Sequence, residues 1–345
     1  MTKKFKIGVI GVGMYGQVHC QYFQASGRAE VTWACSASAT TTRAAAERFG
    51  IPNATRDYRD MLKDPALEAV VITSPPDTHV PMAIDALRAG KHVLLEKPMT
   101  TTRRAMQRLL AEVEQHPNQV VLECSCRHTR LQPKFGFVKN LIDSGRLGRV
   151  YHIHHRHLIP TTFIEYNPKG AWAMDKSKAG GGPFFDWGVY DLSYHLGLLG
   201  DVPQLKSLRS FSINGLRDMT WAAPVADIEQ HGAAFMEFDT GLTYYYERGS
   251  GVHALVPNET RIFGTKGSLR LSFPTWDSNE VEFFAIDDRG DITQETLTVD
   301  MSAHPENDDI PLVEHFLDCL EGKSTPQMPV ALAARHLDIL FKILG

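Results

Sequence analysis

An apolar strand running into a glycine-spaced turn constrains this chain more than any other feature. KIGVIGVGMYG at 6–16 places Gly11, Gly13 and Gly16 as Gly-x-Gly-x-x-Gly, ahead of a helix-compatible stretch at 15–26. With 27 glycines in the chain, such a triplet arises by chance, so its context carries the weight. In a strand–turn–helix setting the first glycine permits the tight turn and the second lets the backbone approach a pyrophosphate. The third allows close helix–strand packing, with the phosphates at the helix N-terminus. The turn, with Met14 and Tyr15 inside it, predicts a dinucleotide site.

The same grammar of short apolar run, turn and helical stretch recurs through the first third. EVTWAC at 30–35, AVVITS at 69–74, HVLLEKP at 92–98 and VVLECSC at 120–126 read as strands. Helical patterns at 40–49, 79–90 and 102–115 separate them. Near-continuous apolar strands alternating with helices indicate a parallel sheet covered on both faces. Residues 1–125 are therefore expected to form an α/β Rossmann domain. Beyond a helical run at 132–144 the pattern turns to period-two segments at 150–157, 205–214, 231–239, 242–248, 260–264, 268–273, 281–286 and 292–299. A helix near 186–199 interrupts them, and helices at 309–322 and 329–344 close the chain. Residues 126–345 thus read as an α+β domain on a large, open, mostly antiparallel sheet, its C-terminal helices packing near the domain junction.

Bulk properties agree with this plan. At about 150 residues per domain, 345 residues make two. A formal charge of −4 disfavours nucleic acid as the main partner. No apolar run reaches the roughly 18 residues of a membrane span. Five cysteines outline no disulfide framework, and the reading is a cytoplasmic protein.

Cofactor choice turns on the end of the second strand. A site for NAD usually carries Asp or Glu about 20 residues beyond the glycines, on the ribose hydroxyls. That position falls near Ser36, and no acid lies between Glu30 and Glu47. The missing carboxylate favours NADP over NAD, with Ser36, Ser38, Thr40 or Arg43 as donors. An arginine directly after the strand, the stronger NADP signal, is absent.

GVGMYG, TSPPDTH at 73–79, Glu96-Lys97-Pro98 and GGGPFFDWGVY at 180–190 form an ordered set. Together they resemble the glucose–fructose oxidoreductase and inositol dehydrogenase (Gfo/Idh/MocA) family. The resemblance implies a Rossmann domain, a sheet domain, and cofactor and substrate meeting between them. It places Thr73, Pro75, His79, Glu96 and Pro98 at the cofactor and Lys97 at the reacting carbon. Trp172 matches the tryptophan that shields the nicotinamide, although Ala173 replaces the arginine that usually follows. Asp186 and Tyr190 match an Asp-x-x-x-His pair with tyrosine in the second position. That is the version of the glucose–fructose oxidoreductase and several aldose or dihydrodiol dehydrogenase branches. The family also implies a homodimer or homotetramer through the open sheet face.

Carbinol oxidation needs a hydride acceptor and a proton acceptor. The expectation is that Tyr190 exchanges the proton with a sugar oxygen, Lys97 tunes and orients it, and Asp186 positions a hydroxyl or the lysine. On a strand through YHIHHRH at 151–157, His152 and His154 share one face and His155 and His157 the other. His155, His157 and Arg127 are candidate substrate contacts, and no metal is expected because spacing specifies no third ligand. Cys124 and Cys126 read as core. The leading function is an NAD(P)-dependent oxidoreductase acting on a sugar, polyol or sugar derivative. Its rivals are an NAD-dependent glycoside hydrolase using transient sugar oxidation and a non-catalytic dinucleotide or sugar sensor.

Overall fold

The computed structural model describes residues 4–168, 170–272 and 277–345. Two compact units emerge: Met1–Arg127 with Pro305–Arg335, and His128–His304 with His336–Gly345. The return of 305–335 to the first unit is absent from the sequence expectation, which gave everything past 125 to the second.

In the first unit, β1 (Phe5–Ile10), α1 (Met14–Ala25), β2 (Ala29–Cys35), α2 (Ala39–Phe49), β3 (Asn53–Thr55) and α3 (Tyr58–Leu62) lead to β4 (Ala69–Ile72). Then come α4 (His79–Arg88), β5 (His92–Leu95), α5 (Arg103–Gln115) and β6 (Val121–Glu123). The six-stranded sheet is parallel throughout, in the order β3-β2-β1-β4-β5-β6. Its order reverses beside β1, so the carboxyl ends of β1 and β4 flank the crevice where such sheets bind ligands. Local chemistry sets the helix ends: Ser38 caps α2 by accepting from Thr41 N, and Gly50 closes it in the left-handed region. The strand expected over 120–126 stops at Glu123, because the Glu123 carboxylate takes Ser125 N at 2.7 Å and Cys124–Cys126 curl into a 3-10 turn. All five cysteines are buried free thiols. The helix Asp309–Leu320 docks on α1 through Phe316 against Phe23, and Arg28 engages its Glu314 and Asp318 at 2.6 and 2.7 Å.

The second unit comprises α6 (Pro133–Asp143), β7 (Val150–Ile159), α7 (Phe163–Tyr166), α8 (Lys176–Ala179), α9 (Pro183–Leu198) and seven further strands. These are β8 (Leu205–Ile213), β9 (His231–Phe238), β10 (Thr243–Ser250), β11 (Glu259–Gly264), β12 (Ser268–Leu271), β13 (Glu280–Ile286) and β14 (Ile292–Thr298). Their order is β14-β13-β12-β11-β7-β10-β9-β8, antiparallel except for the β7–β10 pair. The strand expected at 268–273 ends at Leu271, and its position 273 lies outside the described residues. The chain closes with α10 (Asp309–Leu320), assigned above to the first unit, and α11 (Val330–Leu344), which contributes to both.

Apolar residues surround α9, so it is a buried helix rather than an amphipathic one. It packs on the sheet face presented by Tyr244, Tyr246 and Arg248, with Phe184 edge-on to Tyr246 at 5.1 Å. The opposite face carries a shallow hollow of about 350 Å³ lined by His152, His154, Arg156, Phe235, Tyr245 and Glu247. Among the described residues, no helix is long and apolar enough to cross a membrane.

Candidate active site

Three glycines shape the turn after β1. A Cβ on Gly11, at φ +98°, would lie 2.6 Å from Ser74 N, and one on Gly16 would lie 2.2 Å from Gly11 O. A Cβ on Gly13 would meet nothing within 4 Å. The outer glycines are thus packed and the middle one faces open space, the shape a pyrophosphate needs to reach the backbone. Thr73 Oγ1 donates to Gly11 O at 2.6 Å, tying the end of β4 to this turn. Met14 is 60% exposed, Tyr15 40%. Past β2, Ser36 is half-buried, Ser38 serves as the α2 cap, and Arg43 is exposed on α2.

The Glu96-Lys97-Pro98 turn after β5 is held from two sides. His79 is fully buried, its Nδ1 3.1 Å from Pro98 O and its Nε2 2.6 Å from Ser74 O. Burial lowers its pKa against the two carbonyl contacts, which raise it, and the ring lies between the two loops. Pro75 opens the short 3-10 turn 76–78 ahead of α4. On the other side, Glu96 Oε2 accepts the backbone N–H of Lys97 at 3.1 Å. Glu96 Oε1 contacts His19 Nε2 at 3.0 Å and accepts from Arg127 Nη1 at 2.6 Å. Burial opposes ionisation of Glu96, but Arg127 and His19 outweigh it and hold the carboxyl well below its ordinary value. The lysine side chain itself is half-buried.

Arg127 changes character here. Expected at the substrate, it is fully buried, bonded to Glu96 and to Asp309 Oδ1 at 2.9 Å, with its guanidinium 4.9 Å from the Tyr15 ring centre. A continuous line of contacts thus runs from Tyr15 in the glycine turn through Arg127 and Glu96 to the Lys97 backbone. His19, Glu96 and Cys124 bring ligand-type atoms within 4.8 Å of one another, yet a guanidinium bonded to that carboxylate opposes a metal cation there.

In the second unit, Asp186 and Tyr190 both lie on α9, one turn apart. Glu229 caps this helix from outside, accepting Gly182 N at 2.7 Å and Phe184 N at 3.0 Å, which starts it at Pro183 rather than near 186. A Cβ on Gly182 would strike Glu229 O at 2.0 Å, so this close approach requires glycine. Tyr190 is 2% exposed; its ring lies 4.9 Å from His128 and 5.4 Å from Trp187. Trp172 is 37% exposed on a 3-10 turn, Ala171–Met174, anchored by Met174 in a small core with Ile164, Met219, Ala223 and Ile228.

Behind Tyr190 lies a network that sequence reasoning missed. Asp191 is fully buried and pairs with Arg248 through Nε at 2.5 Å and Nη2 at 2.8 Å, while Tyr246 donates to it at 2.8 Å. The Arg248 guanidinium sits 5.1 Å from the Trp187 ring centre. Burial disfavours the Asp191 carboxylate, and Arg248 with His155 more than offsets that, leaving its pKa far below normal. His155 and His157 face this network while His152 and His154 face the hollow, as strand alternation predicts. His155 is 2% exposed, 3.5 Å from Asp191 and 2.9 Å from Thr260 Oγ1; burial holds it well below its ordinary pKa and takes His157 down to about 4. An acidic residue in a buried apolar helix, with a lone arginine in a tyrosine-rich strand, was the available signal.

A parallel sheet ending in a glycine cradle, with a buried turn after β5, is the arrangement of a dinucleotide-binding Rossmann domain. Residues 5–124 match the oxidoreductase family with NAD-binding Rossmann fold, and 135–270 match the GFO/IDH/MocA C-terminal domain. The dTDP-3,4-didehydro-2,6-dideoxy-alpha-D-glucose 3-reductase of Streptomyces violaceoruber is 31% identical over 254 residues, 72% of this chain and 67% of that protein. Inositol 2-dehydrogenase of Salmonella paratyphi B is 33% identical over 164 residues, 47% of this chain and 48% of that one. The structure of a levoglucosan dehydrogenase in complex with NADH and levoglucosan superimposes with a TM-score of 0.84 at 20% identity, covering 99% and 96% of the two chains. The chain belongs to the Gfo/Idh/MocA oxidoreductase family.

Proposed function

We propose that the protein is an NADP-preferring dehydrogenase or reductase of a sugar, polyol or sugar derivative. The observation that carries the reading is the clamped turn: Glu96 fixes the Lys97 backbone N–H, in a chain that also keeps Asp186 and Tyr190 on one helix. The cradle of Gly11, Gly13 and Gly16, with Met14, Tyr15, Thr73 and Pro75 beside it, would hold the dinucleotide, whose nicotinamide supplies the hydride chemistry. Tyr190, in the glucose–fructose oxidoreductase version of the pair, exchanges a proton with the substrate oxygen. Lys97 orients that exchange, and Asp186 fixes a neighbouring hydroxyl. Trp172 contributes an exposed indole suited to covering a flat ring. Names of relatives that act on deoxysugars, inositol and levoglucosan support a polyhydroxylated substrate.

The surroundings of His155 and His157 favour net redox over redox-assisted hydrolysis. Burial lowers the pKa of both rings, which works against either serving as the protonated acid a leaving group requires. A screen of stereochemically diverse sugars, polyols and glycosides with both cofactors tests this directly. Net change in nicotinamide redox state is expected; aglycone release without it selects the hydrolase, and binding without turnover selects the sensor.

The open sheet face presents Phe211, Ile213 and Phe235 at 44–49% exposure, together with the histidine-lined hollow. An apolar sheet face of this kind supports a homodimer or homotetramer through it. Light scattering on the gel-filtered protein checks this, and a monomer at micromolar concentration contradicts it.

A further inference from the structure

β2 and β3 run parallel in the register Trp33↔Asn53, Ala34↔Ala54, Cys35↔Thr55. The residues that follow each strand therefore leave the sheet side by side at its carboxyl edge. On one side these are Ser36 and Ala37; on the other, Arg56. The Arg56 side chain turns back onto the first loop, where Nε donates to Ala37 O at 3.1 Å. That is its one hydrogen bond among the described residues, and it leaves the two Nη groups of an exposed guanidinium beside the β2–α2 loop.

This is the place where a Rossmann fold distinguishes its dinucleotides: a carboxylate there holds the 2′-hydroxyl of NAD, and an arginine nearby accepts the 2′-phosphate of NADP. The loop itself supplies neither group. Ser36-Ala37-Ser38 contains no acid and no arginine, and the Ser38 hydroxyl already caps α2. The acids following Arg56 are engaged locally. Asp57 accepts from Arg59 N at 3.0 Å, and Asp60 pairs with Lys63 at 2.9 Å and Thr55 at 3.1 Å. A guanidinium supplied from the neighbouring strand end thus occupies the position where the loop lacks one. Its planar fork suits a phosphate dianion better than a ribose hydroxyl.

We propose that Arg56 reads the adenosine 2′-phosphate of NADP and sets the cofactor preference of this enzyme. The inference rests on the NADP reading given above, and it assigns that reading to a residue outside the second strand and its loop.

Equilibrium dissociation constants for NADP⁺, NAD⁺, 2′,5′-ADP and 5′-ADP test it on the full chain, without any substrate. In R56A, NADP⁺ and 2′,5′-ADP should bind about tenfold to a hundredfold more weakly, the loss of one charge-assisted contact. NAD⁺ and 5′-ADP should stay within about twofold, and R56K should recover part of the loss. R59A, at an exposed arginine already paired with Asp57, serves as the control and should match wild type. Equal loss for all four ligands, or no loss for any, overturns the assignment of Arg56 while leaving the NADP reading intact. Wild type binding NAD⁺ at least tenfold tighter overturns the NADP reading. That result also removes Arg56 as the residue that sets the preference; a loss in R56A confined to the 2′-phosphorylated ligands would then keep only its contact with the phosphate, and an equal loss would remove that too.

Discussion

Glu96, Arg127 and Asp309 in the first unit, and Asp191 and Arg248 in the second, are buried ion clusters. Each stands one residue from a proposed catalytic side chain, Lys97 or Tyr190. They differ in balance. In the first, one guanidinium nitrogen serves two carboxylates contributed by different parts of the chain. In the second, one guanidinium meets one carboxylate through two nitrogens, with a tyrosine hydroxyl on the same acid. A buried ion pair adds little net stability, but removing one partner strands the other. The first cluster strands two acids at once, and this difference makes it the more brittle support.

The largest effect should therefore follow loss of Arg127. R127M leaves Glu96 and Asp309 without their shared cation and should cost about 5 kcal/mol in urea unfolding, whereas R248M, stranding Asp191 alone, should cost about 3 kcal/mol. Neutralising the stranded acids in R127M/E96Q/D309N should recover most of the first loss. Equal costs for the two single variants would show that the second stranded acid adds nothing.

The units should also respond to pH in opposite directions. Burial raises Glu123, at the end of β6, to about 7 from an ordinary 4.5, against the opposing bonds from Ser125. The folded state thus prefers the protonated acid, so its contribution is intact below pH 4.5 and is lost as pH rises through about 7. Relative to wild type, E123Q should gain up to about 3 kcal/mol between pH 4.5 and pH 8. In the second unit burial lowers His195 to about 4, so its contribution is present above pH 6.5 and is lost as pH falls toward 4. H195Q should narrow the gap to wild type on acidification by about 2 kcal/mol. Denaturant midpoints at pH 5 and 8 read both, and parallel pH trends in the two variants would remove the contrast.

Much of this architecture was legible in the chain. The apolar strands β1, β2, β4 and β5 and the period-two strands of the second unit emerged close to their observed bounds, because burial on one or both faces writes a pattern. β3 did not, since Asn53–Thr55 is a three-residue edge strand without an apolar run. The tight packing at Gly11 and Gly16 and the open approach at Gly13 were readable because backbone geometry dictates residue type. The surroundings of Lys97 and Tyr190 were not. Arg127 finds Asp309 across 182 positions and Asp191 finds Arg248 across 57, and such pairing leaves no local periodicity. Arg56 was hidden for the same reason: its role depends on which strand end lies beside Ala37.

Steady-state kinetics of K97A and Y190F on the substrate found by screening, read beside the cofactor dissociation constants, tests the proposed roles of Lys97 and Tyr190. kcat/KM is expected to fall about a hundredfold or more in each variant while cofactor binding stays within about twofold. Retention of more than about a tenth of wild-type kcat/KM by both variants would contradict those roles.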